Sequence, residues 1–233
     1  MGVLILQNDS LSLVARLSNF LGEGKNLNYE LLRIGYHLDL VKIEPFDTSR
    51  HLEPLVKILE LVHAVDDNYP PSQDVENTSE SFTKWLLRGG DLGRWVSTLE
   101  NTVLGHVSLS TPGEYLEPFF NKGIYSGPFP DHIAEISKLF VDPNYRSHGV
   151  GSLLLACAKR EAWLLGRRPA LAVVLESKNA IRLYRHDGME NVGEFEGIHG
   201  TNFVYVDRQG VSGALNISTD GKSSKLFKRE IRC

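Results

Sequence analysis

The chain lacks a basic excess, a stock of cysteines and any long apolar run, and each shortage removes a class of function. Its 25 lysines and arginines stand against 29 aspartates and glutamates, for a formal charge of −4 and a pI near 6.1. Proteins that hold nucleic acid by its phosphates usually carry a basic surplus on one face, so no nucleic-acid partner is expected and a small molecule is. Only Cys157, inside an apolar run, and Cys233, the last residue, are cysteines. Neither suggests a disulfide framework, which points to a reducing, cytoplasmic compartment. No apolar run approaches the roughly 18–20 residues that span a bilayer, and MGVLILQNDS has neither the basic start nor the apolar length of an export signal. No membrane partner is expected; Leu6 also stands where a myristoylation motif needs Ser or Thr. The histidines form no H-E-x-x-H and no C-x-x-C occurs, so no metal is implied.

What is present reads as one soluble globular domain with extensions, since 42% hydrophobic and 23% charged residues are ordinary proportions. Residues 1–37 show no dependable period and are taken as an N-terminal extension. LDLVKIEPF (38–46) reads as a strand and 49–65 as a helix with Ser49 as its N-cap. A proline-broken loop (66–74) leads to a short helix near 78–88 and to two strands joined around Glu100 and Asn101, a β-hairpin. A loop over 111–131 precedes the strand HIAEISKLFV. A helix follows to about Leu165, then a strand over Leu171–Leu175, a helix over Ser177–Arg185 and strands near 190–196 and 201–207. This order predicts an α/β (α+β) mixed sheet with helices packed on it, over a domain spanning 38–208. Residues 209–233, glycine- and serine-rich and then basic, read as a C-terminal tail, and no internal repeats occur.

The chemically informative stretch is FVDPNYRSHGVGSLLL (140–155). The first-turn amides of a helix have no internal partners, and the aligned peptide dipoles add partial positive charge there. Gly149 and Gly151 let a ligand approach without a Cβ in the way, and Arg146 supplies a fixed positive charge for phosphate oxygens. Val150, Leu153, Leu154, Cys157 and Ala158 follow the spacing of one buried helix face. The stretch fits a pyrophosphate cradle. Read alone, its six key residues fit equally a helix start whose glycines relieve a tight turn. The dinucleotide G-x-G-x-x-G fails at Leu154, and no G-K-[ST] exists for a P-loop.

AEISKLFVDPNYRSHGVGSLLL, followed some thirty residues later by SKNAIRLYRHDGM, resembles the GNAT acetyltransferase superfamily through both its main signatures. The resemblance implies a largely antiparallel sheet of six to seven strands flanked by about four helices, with a splayed strand pair holding the cofactor. It implies an acetyl-CoA-dependent N-acetyltransferase acting by direct attack in a ternary complex. The acceptor would be a small-molecule primary amine, with a peptide or protein amine, or noncatalytic acyl-CoA binding, as alternatives; a homodimer is also implied. Arg146, Ser147, His148, Gly149, Val150, Gly151 and Ser152 match the R/Q-x-x-G-x-G/A loop that holds the CoA pyrophosphate. Leu139, Phe140 and Val141 match the strand end that pairs with pantetheine as an added strand would. Tyr184 matches the tyrosine near the thioester sulfur, a proton or hydrogen-bond donor to the departing thiolate; its plainer reading is a buried aromatic on a short helix. Ser177 stands where the family most often has a cofactor-touching asparagine, while Asn179 sits two residues later. Met189 replaces the usual aromatic after Gly188.

An amine attacks only as the free base, and an unperturbed lysine-like amine, with a pKa near 10.4, is mostly charged at neutral pH. Glu135 matches the family position of a strand carboxylate that acts as general base, and burial there would raise its pKa usefully. It reads otherwise as a solvated carboxylate or one paired with Lys138. His106 is a reserve base. A backbone amide near Leu139 or Phe140 would receive the oxyanion. By the same resemblance Asp66, Asp67, Tyr69, Glu114 and Glu117 would meet a cationic acceptor, and they read equally as solvated loop residues.

Overall fold

The structure is a computed structural model that describes residues 40–66, 69–71, 75–113, 116–121, 132–197 and 200–207. The extensions 1–37 and 209–233, and with them Asp67 and Glu114, lie outside the described residues. Local chemistry sets the first boundary: β1 (Val41–Pro45) gives way to α1 (Thr48–Val65) at Asp47, whose carboxylate accepts from the Ser49 and Arg50 amides. The cap is thus Asp47 rather than Ser49. An extended residue with a carboxylate satisfies two orphan amides together, and Ser49 becomes one of its donors.

After α2 (Ser79–Leu87), capped by Thr78, come β2 (Gly93–Leu99) and β3 (Thr102–Ser110), turning at Glu100 with φ 55°. The stretch expected to be a plain loop contains a short helix, α3 (Leu116–Asn121). Its Leu116, Phe119 and Phe120 are buried with Ile133, Ala170 and Val204. Tertiary burial makes this helix, since six residues carry too little period to announce it. Then follow β4 (Ile133–Val141), a 3-10 turn (Pro143–Tyr145), α4 (Val150–Leu164), β5 (Arg168–Val174), α5 (Lys178–His186), β6 (Met189–Gly197) and β7 (Gly200–Asp207).

The seven strands form one sheet in the order β1-β2-β3-β4-β5-β7-β6, antiparallel throughout except between β4 and β5. α4 covers one face, burying Val150, Leu154, Leu155, Cys157 and Ala158 against Leu104, Leu109, Ala134, Ile136 and Leu171. Leu153 of the expected stripe is only partly buried, at its margin. Cys157 is fully buried in this core, and Cys233 lies outside the described residues. α1 and α2 cover the other face, with Leu55, Leu59, Phe82, Trp85 and Phe140 in their core. No described helix is long and apolar enough to cross a membrane.

Candidate active site

The site begins where two strands part. β4 and β5 pair only at Ile133/Arg168, Ala134/Pro169 and Glu135/Ala170, after which β5 pairs with β7 alone. β4 continues against β3 to Val141, so among the described residues its far half has no strand neighbour on the β5 side. The Asp142 amide donates to the Leu104 carbonyl at 2.8 Å, and the ladder's alternation turns Phe140 toward β3 as well. Trans peptides then direct the Leu139 carbonyl and both main-chain groups of Val141 away from β3, toward the gap. Those groups form an open edge at which an extended molecule could pair.

At the end of that edge lies the glycine loop. Arg146 is tied by its Nε, 3.2 Å from the Val141 carbonyl, which leaves the rest of its guanidinium at the mouth of the gap. Ser147 at φ 63° and Gly149 at φ 82° both sit in the left-handed region, which bends the chain sharply into α4. Gly149 is the N-cap residue and no side chain caps the helix; its first internal bond runs from the Leu153 amide to the Gly149 carbonyl at 3.1 Å. By helix geometry the amides of Val150, Gly151 and Ser152 therefore point out of the helix end unspent. Gly151 has a second reason to be glycine: a Cβ there would lie 3.3 Å from Leu183 of α5 and 3.8 Å from Val141. Loop, open edge and α5 thus converge on one residue. His148 is half-buried in this loop.

α5 presents Tyr184, buried, with its ring 6.0 Å from that of Tyr205. Burial pushes its phenol pKa up, so the hydroxyl keeps its proton. Ser177, seven residues earlier, shares Tyr184's helix face, and its hydroxyl is not spent capping its own helix. Asn179 is exposed, lies on a different face and accepts a hydrogen bond from Arg182.

Glu135 sits at the root of the gap, the last β4 residue paired with β5. Its neighbours Ala134 and Ile136 belong to the α4-side core, so Glu135 faces the α1–α2 side. One carboxylate oxygen accepts the Gly113 amide at 2.7 Å. Burial raises its pKa, the Gly113 bond opposes this, and the Asp91 charge adds to the rise. Lys138 is not its partner; the lysine ammonium donates instead to the Trp85 and Arg88 carbonyls at the end of α2.

On the same side stands an aromatic wall. The Tyr69 ring lies 5.6 Å from Trp85 and 6.3 Å from Phe140, and its buried hydroxyl has no hydrogen-bond partner among the described residues. Burial raises its pKa well above normal, with the Tyr184 and Asp66 charges adding to it, so the two phenols lie within electrostatic reach. Asp66 is the half-buried C-cap of α1 and its carbonyl accepts the Tyr69 amide at 2.9 Å. Glu117 is exposed on α3. His106 is fully buried, stacked at 5.5 Å on Phe140, with Nδ1 3.0 Å from the Lys138 carbonyl. Burial lowers its pKa to about 4, so the ring is neutral and Nδ1 carries the proton toward that carbonyl. So weak a base is poorly matched to an ammonium ion, which leaves Glu135 as the candidate base. Trp85 and the Gly113 amide were not expected from sequence. Trp85 is identifiable only as an apolar residue in a helical pattern, and a backbone amide carries no sequence signal.

Among the described residues no group of His, Cys, Asp or Glu side chains could hold a metal ion. Residues 58–189 match the family model described as acetyltransferase (GNAT) family. Over 110 residues the chain is 30% identical to the uncharacterized N-acetyltransferase MJ1207 of Methanocaldococcus jannaschii, covering 47% of this chain and 44% of that protein. The match therefore spans under half the length of that relative. The fold is similar to the acetyltransferase of GNAT family from Streptococcus pneumoniae, with a TM-score of 0.53 and 19% identity over 72% of this chain and 99% of that one. It is similar also to Arabidopsis thaliana NAA60 in complex with acetyl-CoA, with a TM-score of 0.50 and 20% identity over 71% of this chain and 97% of that one. The matched region holds the glycine loop, the open edge, Glu135 and Tyr184, and on that ground the chain belongs to the GNAT family of acetyltransferases.

Proposed function

We propose that this chain moves the acetyl group of acetyl-CoA to the primary amine of a small molecule by direct attack in a ternary complex. The observation that carries the reading is the convergence at Gly151 of an uncapped helix start, an open strand edge and the helix bearing Tyr184. The amides of Val150, Gly151 and Ser152, with Arg146 and the loop backbone of Ser147, His148 and Gly149, suit a diphosphate. The outward groups of Leu139 and Val141 suit the amides of a pantetheine arm; Phe140 contributes its ring to the aromatic wall while its backbone serves β3. The Ser177 hydroxyl fits a single further hydrogen bond, a role that its exposure and Arg182 contact make less fitting for Asn179.

Bound acetyl-CoA supplies an activated acyl carbon with a thiolate leaving group. Glu135, with its pKa raised by burial, takes the proton from the incoming ammonium directly or through water. The Leu139 amide is the donor for the developing oxyanion, because the Phe140 amide faces β3. Tyr184, protonated in its buried site, donates to the departing sulfur. Tyr69 and Asp66 form the acceptor side. The wall of buried Trp85 and partly buried Tyr69 favours a compact amine over a protein segment.

The test is thiol release from acetyl-CoA with a diamine, an aralkylamine, an amino-acid amide and a free tripeptide, alongside calorimetry with acetyl-CoA. Wild type is expected to bind acetyl-CoA and turn over a small amine. Glu135→Gln is expected to lower kcat by about 10²-fold or more at neutral pH, and Tyr184→Phe by about tenfold or more, both with acetyl-CoA binding retained. Tight binding with no turnover would make the chain an acyl-CoA-binding module, and turnover of the tripeptide alone would move the acceptor to peptides.

A further inference from the structure

The transfer mechanism gives no role to Lys138, a half-buried cation beside the open edge. Between the His106/Phe140 and Ser108/Ser137 pairs, a single β3 residue, Val107, faces two β4 residues, Lys138 and Leu139. This is a β-bulge, a feature that redirects a strand and recurs beside active sites. Lys138 adopts φ 52°, in the left-handed region that a non-glycine residue rarely occupies. Both ends of the residue are held. Its carbonyl receives the His106 Nδ1 proton at 3.0 Å. Its ammonium donates to the Trp85 and Arg88 carbonyls, lies 3.5 Å from the Leu86 carbonyl and stands 5.1 Å from the Trp85 ring centre.

The partners of this lysine belong to both halves of the site. The next residues, Leu139 to Val141, form the open edge. Trp85, which its ammonium covers, backs Tyr69 on the acceptor side. The end of α2 has a second cation of its own, Arg94, which donates to the Leu87 carbonyl at 2.7 Å and to that of Gly89. A strained backbone and a desolvated cation, at a helix end that Arg94 also serves, together ask for another role. Burial and the neighbouring Arg88 and Arg94 charges lower its pKa to about 8, so the tether costs charge stabilisation as well.

We propose that Lys138 is a positioning residue for acetyl transfer, whose side chain ties the β4 bulge to the end of α2 and so fixes the Leu139–Val141 edge relative to the Tyr69–Trp85 wall. The proposal rests on the reading that the acetyl group lies along that edge. Lys138→Met keeps the aliphatic stem over Trp85 and removes the donors. Arg94→Met is the control, since it weakens the same helix end without touching the bulge.

Steady-state kinetics with acetyl-CoA and the best amine of the panel, well below the melting temperature of every variant, tests it. Lys138→Met is expected to lower kcat about tenfold or more while the acetyl-CoA Kd stays within about twofold, since a small misplacement of reacting groups acts on the transfer step. Lys138→Arg is expected to recover most of that loss. Arg94→Met is expected to lower Tm and leave kcat unchanged. Equal kcat in Lys138→Met and wild type, or equal losses in Lys138→Met and Arg94→Met, would overturn the proposal and leave Lys138 a helix cap. Should Lys138→Met fail to fold, equal kcat in Lys138→Gln and Lys138→Arg would overturn it likewise. Wild type that binds no acetyl-CoA would overturn the functional reading and this proposal with it; binding and turnover with an unaffected Lys138→Met would overturn the proposal alone.

Discussion

The two ends of the site are built from different materials. At the α4 end the groups offered to a ligand are main-chain amides and carbonyls, exposed by a left-handed glycine, an absent side-chain cap and a missing strand neighbour. At the α1–α2 end they are side chains: Tyr69, Trp85, His106 and Glu135, whose properties come from what buries them. A main-chain site depends on backbone conformation and tolerates changes of most side chains around it. A side-chain site depends on packing contributed from distant parts of the chain.

The contrast breaks most sharply at Gly149. A leucine there must hold φ 82° against its own Cβ and would stand over the amides of the helix start. Acetyl-CoA affinity measured by calorimetry is expected to fall about 100-fold, from a conformational cost of about 1–2 kcal/mol plus lost contacts. An affinity within threefold of wild type would place the diphosphate elsewhere. His106 probes the other end with a smaller effect. Its folded pKa is depressed to about 4, so the unfolded chain binds the extra proton first as pH falls. The stability it contributes is complete above the unfolded value of about 6.5 and is lost as pH drops toward 4, by about 1 kcal/mol at pH 5.5. His106→Leu is expected to flatten that part of the stability curve, followed by urea unfolding, and to leave acetyl-CoA affinity unchanged. An unaltered pH dependence would mean that the ring is not buried neutral.

The same contrast explains what could be read from sequence. Gly149, Gly151 and Arg146 carry their geometry in their residue types, and the strand, loop and helix around them follow from hydrophobic spacing. Tyr184 and Ser177 were legible only through the resemblance of SKNAIRLYRHDGM to the family's second signature. The bulge at Lys138 was not, because nothing in KLFV announces a left-handed lysine. Helix α3 was hidden because its stability comes from burial against β4, β5 and β7 rather than from its own six residues. The Glu135–Lys138 pair, an alternative on sequence grounds, fails because the bulge sends the lysine to α2. Asp47 displaced Ser49 as the cap for a local reason that neighbouring good caps do not resolve in sequence.

Amide hydrogen exchange with and without acetyl-CoA, resolved at Val141, Val150, Gly151 and Ser152, tests the central claim most directly, because these amides face outward with no internal partner among the described residues. Strong protection of all four on binding, with little change at Phe140, whose amide already serves β3, is the predicted result. Binding that leaves the four unprotected would contradict the claim that this helix start and strand edge hold the cosubstrate.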